Sequence, residues 1–167
     1  MKRIASLIIA LLLVVSCSLG YAYYQKSNEA EDAKSGLISV SNTALLCLTD
    51  VDALVTMAEN NVSDSVIRER VTRYAYCAET LSEASASLYE ATGEKIYWEV
   101  HVASTNLADF FNHARNIKNP RGAIEKNAGV LEELSEAVFQ VYDALRKGNL
   151  TETQSKRLLN LTESLSW

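Results

Sequence analysis

Apolar residues in this chain recur at alternating spacings of four and three along most of its length. Leu37, Ser41, Ala44, Leu48, Val51, Val55 and Ala58 form one stripe, and Ile67, Arg70, Tyr74, Cys77, Leu81, Ala84, Leu88 and Ala91 form a second. Ile96, Val100, Ala103, Leu107, Phe110, Ala114 and Ile117 make a third. A fourth holds Ile124, Leu131, Leu134, Val138, Val141 and Leu145, and a short fifth holds Leu158, Leu161 and Leu165. Such spacing puts the apolar side chains on one face of a helix. The 3/4 alternation is the seam of helices that cross at about +20°. No segment alternates apolar and polar residues as a half-buried strand does.

The punctuation between stripes agrees. Asn60-Asn61-Val62-Ser63 separates the first two, with Ser63 or Asp64 suited to an N-cap. Gly93 stands where a helix C-terminus wants a left-handed residue. Asn119-Pro120 reads as N-cap then first helical position. Gly148-Asn149 ends the fourth stripe, and Thr151 with Gln154 has capping-box spacing. The 167 residues hold only one proline and six glycines, so long uninterrupted elements are expected. Short connections make neighbouring helices antiparallel. The predicted fold is all-α: an up-down antiparallel four-helix-type bundle over 37–167, with a short fifth C-terminal helix on its end or side. Residues 25–36 are either a linker or the continuation of the first helix, with Gly36 weakening the helix and Lys34–Gly36 the place where a break would fall.

Residues 1–24 are of another kind. Met1-Lys2-Arg3 is followed by a continuous apolar run from Ile4 to Val15, relieved only by Ser6. This is the order of a secretory signal or membrane anchor, and the leading cations keep the N-terminus cytoplasmic. Three fates fit. Gly20-Tyr21-Ala22 offers a cleavage site after Ala22. Val14-Val15-Ser16-Cys17 resembles a bacterial lipobox, with Cys17 as the lipidated residue, although Val replaces the usual Leu. Retained, Ile4 to Tyr24 is just long enough to span about 30 Å of hydrocarbon, with Tyr21, Tyr23 and Tyr24 as an interfacial belt. In each case the body is expected outside the cytoplasm, membrane-held or released.

The formal charge is −5; Lys2 and Arg3 give residues 1–24 a charge of +2, which leaves −7 on the rest. An acidic body argues against a nucleic-acid partner, since phosphate binding needs a basic face.

Cys47 and Cys77 lie equally far from position 62, the centre of the first turn. In an antiparallel hairpin they sit at one height, within reach of a disulfide. An exported chain meets the oxidising compartment that preserves one. The Cys47–Cys77 disulfide is therefore expected, as a structural rather than a redox pair.

No constellation carries chemistry. His101 and His113 are more than three helical turns apart and cannot share a metal within one chain. Asp109 and His113, at i and i+4, supply two ligands at most. There is no Glu-x-x-His, no glycine loop for phosphate, and no serine elbow. The expectation is a protein with no catalytic residues, no cofactor and no metal. One candidate ligand pocket is marked by Arg70, a cation on an apolar stripe, together with Tyr74 and Trp98. Asn61, Asn149 and Asn160 each begin a glycosylation-type tripeptide, about what chance supplies. The leading functional expectation is a non-enzymatic helical module that binds another protein or assembles with itself in the cell envelope. The alternative is a small-molecule-binding bundle with a pocket between helices.

Overall fold

The computed structural model describes residues 2–166, with side chains described from residue 16 onward except those of 17, 22, 23 and 27–29. Cys17, the candidate lipidation site, therefore lies outside the described side chains, as do Lys2 to Val15. Two compact units are present, Met1–Gly36 and Leu37–Trp167. Helix α1 (Lys2–Leu48) supplies the first unit and begins the second. It passes Gly36 without a break, although the unit boundary falls there. In the first unit Leu19, Tyr21 and Tyr24 are exposed. Near the N-terminus, one helix among the described residues is long and apolar enough to cross a membrane, by length and composition alone.

The second unit is the all-α bundle. After the end of α1 come α2 (Ala53–Glu59), α3 (Asp64–Thr92), α4 (Lys95–Asn116), α5 (Pro120–Lys126), α6 (Ala128–Lys147) and α7 (Glu152–Glu163). Helices α3 and α4 pack extensively against each other. Both helices bury small residues, Ala75, Ala78 and Ser85 on α3 and Ala103 and Ala108 on α4. Helix α7 packs along the sides of α4 and α6 and buries Ser155, Leu158 and Thr162. Short α2 and α5 lie against each other and against α3. A single core runs through the unit, with Leu45, Tyr74, Leu107, Phe110, Phe111, Leu131 and Leu158 nearly or fully inaccessible.

Two predicted helices are each divided. The first stripe breaks at residues 49–52 and the fourth at Asn127. In both places a side chain takes the carbonyl that a continuing helix would need. Ser135 Oγ donates to the Thr49 carbonyl (2.5 Å) and Tyr74 Oη to the Asp50 carbonyl (2.7 Å). The backbone tightens to i→i+3 bonds there, Ala53 N–H to Asp50 O and Leu54 N–H to Val51 O. Asn127 Nδ2 donates to the Ala123 carbonyl (2.8 Å), so the Asn127 N–H turns to Ile124. The same amide holds the backbone of Ser166 and so anchors the C-terminal end.

The caps are mostly as expected. Gly148 has φ 68°, with its N–H on Leu145 O and the Asn149 N–H on Ala144 O, a Schellman closure. Asn61 adopts φ 54° in the same arrangement after α2. Asn119 Oδ1 accepts the Gly122 N–H, and Gln154 Oε1 accepts the Thr151 N–H. Ser63 stands at the α3 N-cap but makes no capping bond through its side chain. A Gly148→Ala change is expected to cost about 1 kcal/mol, because a Cβ disfavours the left-handed region. Gly129→Ala, in helical backbone with open space around the added methyl, is expected to gain about 0.5–1 kcal/mol. Urea unfolding of the two variants checks both signs.

Candidate interaction surface

Arg70 and Tyr74 come together, one turn apart on α3, and close on Asp50. Tyr74 is fully buried. Its hydroxyl lies 2.7 Å from the Asp50 carbonyl and 2.9 Å from Asp50 Oδ1, and it accepts from Arg70 Nε at 2.8 Å. The Arg70 guanidinium also pairs with Asp50 Oδ2. Donors and acceptors satisfy one another, so the cluster pins the 49–52 turn to α3 and commits the Arg70 charge internally. Burial, reinforced by the bond to Asp50, raises the Tyr74 hydroxyl above its ordinary pKa of 10.0. A raised value means that the native state keeps its proton where the unfolded chain has lost it. That stabilisation is complete below about pH 10 and is lost as pH rises further. Tyr74→Phe is expected to cost about 1–3 kcal/mol at neutral pH and to flatten the stability decline above pH 10. Urea titrations across pH 7–11 test both.

Trp98 lies elsewhere. It is 45% exposed on α4 and packs against Tyr89 (centroids 5.5 Å) and His101 (5.2 Å). Tyr89 follows Tyr74 by 15 residues on α3, about 22 Å along the axis. The structure thus brings two of the three candidate pocket residues together and leaves the third near the opposite end of α3. His101 Nδ1 contacts Ser82 Oγ (2.9 Å) and the Ser82 carbonyl (3.0 Å). His113 is exposed near the end of α4. The buried acid Glu99 accepts from Ser155 Oγ at 2.6 Å and pairs with Lys95 at 3.1 Å, holding α7 to α4. No group of three or more metal-ligating side chains gathers among the described residues.

Cys47 and Cys77 form a disulfide, with Cα atoms 6.2 Å apart. It forms part of the wall of an open groove of about 430 Å³ between α1 and α3. Val40, Thr43, Arg73, Tyr76 and Thr80 line the same groove. Thr43 and Thr80 bond back to their own helix, at Ser39 O and Tyr76 O, which leaves the walls mainly apolar. Val40 and Tyr76 stand 44% and 60% exposed on its rims. Further round α1, Leu46 is 55% exposed, and Phe139 on α6 is 56% exposed. The Ser135–Thr49 bond sets the antiparallel register of α1 and α6, which puts Phe139 at about the height of Leu45 and Leu46.

Charge separates this face from the others. Residues 35–49 contain no charged side chain, although Ser39, Val40, Thr43 and Leu46 face outward. The other long helices expose charges: Glu69, Arg73 and Glu83 on α3, Lys95 and Asp109 on α4, Glu132, Glu133 and Glu136 on α6, and Glu152 and Lys156 on α7. Periodicity directed attention to inward stripes and passed over this outward one. Its signal in the sequence is the run of fifteen residues without a charge. Compared with known proteins, the chain matches no family model, no curated protein and no solved structure.

Proposed function

We propose that the chain is a non-enzymatic, exported helical module, carried to or held at a membrane by residues 1–24, that acts by protein–protein contact through the outward face of α1. The observation that carries this reading is the charge-free, partly apolar surface of residues 35–49. It lies on a body whose other long helices all display charge. Exposed apolar residues scattered singly need no explanation. Here Val40 and Tyr76 rim a groove, Leu46 is exposed further round α1, and Phe139 stands at the same height on α6. Export is supported by the apolar N-terminal helix, and by the disulfide, which suits an oxidising compartment. Cleavage after Ala22, lipidation of Cys17 and retention as an anchor all deliver the same body.

The alternative, a small-molecule pocket built on Arg70, Tyr74 and Trp98, draws less support, because Arg70 is already paired and Trp98 is distant. Chemical crosslinking in intact producing cells, with membranes and released protein both collected, tests the leading reading. A discrete adduct is expected from the natural chain. Leu46→Glu should remove it while leaving the melting temperature within about 2 °C, since the side chain is largely exposed. No adduct, or an adduct indifferent to Leu46→Glu, would end this reading.

A further inference from the structure

We propose that the partner on the α1 face is a second copy of this chain, packed α1 against α1 about a two-fold axis. The inference rests on the interaction reading above and names its partner. A two-fold contact sets one patch against itself, so the patch must tolerate its own charge. Residues 37–167 carry a net charge of −6. Two copies meeting through α6 would set Glu132, Glu133 and Glu136 near their own counterparts, and α3 would do the same with Glu69 and Glu83. The outward face of α1 brings no such repulsion. Apart from Arg73 on the α3 wall of the groove, it offers a charged partner nothing to recognise, since specificity between unlike proteins draws on complementary potentials.

Shape agrees with charge. Ser39 and Thr43 form an i, i+4 ridge with Leu46 beyond it, and the groove beside Cys47 and Tyr76 lies along one flank. Ridges packing into grooves are the usual geometry of paired helices. In a two-fold pair each copy supplies both parts, the Ser39–Thr43–Leu46 ridge of one entering the groove of the other. Copies held by their N-terminal segments in one membrane share an orientation and a high local concentration, which favours a symmetric pair.

Photo-crosslinking of the full chain in membranes tests this. Thr43, and in a second variant Ser39, is replaced by p-benzoylphenylalanine; both positions are exposed. After irradiation and reduction, an adduct of twice the chain mass is expected. Its joined peptides should link the 37–47 region of one copy to the 37–47 region, or to the 73–80 groove wall, of the other, and a further Leu46→Glu change should lower its yield at least tenfold. An adduct of twice the mass mapping to α4, α6 or α7 would overturn the α1-to-α1 arrangement. An adduct with a different polypeptide would overturn self-pairing while leaving the protein-contact reading standing. No adduct from either position would overturn both.

Discussion

Replacing both Cys47 and Cys77 with alanine is expected to lower the unfolding free energy by about 3–4 kcal/mol, from the loss of a closed loop in the unfolded chain. The sequence separation is 30, and the loop encloses all of α2 and both of its flanking turns. Equilibrium urea unfolding of the oxidised natural chain and of the double variant gives the difference. The bridge also ties the last turn of α1 to the middle of α3. Hydrogen exchange in the Ala44–Leu48 stretch should therefore accelerate more than exchange in α4. A loss below about 1 kcal/mol would mean that Ala44, Leu45 and Leu48, buried in the core, hold α1 by packing alone.

Phe111→Ala is expected to cost about 3–5 kcal/mol. Phe111 is inaccessible and meets Tyr74 at 5.6 Å and Phe110 at 5.4 Å between ring centroids. Removing the ring loses its buried area and two aromatic contacts, and leaves a cavity beside the hydroxyl network that pins the 49–52 turn. Phe111→Leu keeps most of the volume and should cost far less. Phe139→Ala is the control, because its ring is more than half exposed and should change the stability of the isolated chain by less than about 0.5 kcal/mol. Thermal and urea unfolding of the three variants tests the ordering. Equal losses from Phe111→Ala and Phe139→Ala would contradict the placement of the core.

Much of the bundle was legible because a helical period reports directly which side chains turn inward. Ser41, Ala44, Leu48, Val51, Val55 and Ala58 all follow from one stripe and all are buried. The disulfide followed from height and compartment, two cysteines equidistant from a turn in a chain read as exported. Counting in the same way about Gly93 and Glu94 pairs Trp98 with Tyr89, and so separates it from Arg70. The candidate pocket joined residues of like chemistry without comparing their heights. The break at 49–52 was not legible. The groups that capture the Thr49 and Asp50 carbonyls are Ser135 and Tyr74, distant in sequence, and a local pattern does not register them. Asn127 could have signalled its own break, since an asparagine amide competes with the helix for the carbonyl four residues back. The outward face of α1 was readable only as an absence of charge.

The most direct measurement of whether that face is covered is thiol labelling in intact membranes. Ser39→Cys on α1 and Thr153→Cys on α7, both exposed in the isolated chain, are treated with a bulky maleimide. Cys17 is left in place, and the unsubstituted chain serves as the blank. The expected result is that Ser39→Cys is protected in the membrane and reacts only after denaturing detergent, whereas Thr153→Cys reacts in both. Equal labelling of the two in intact membranes would contradict an occupied α1 face, and with it the protein-contact function.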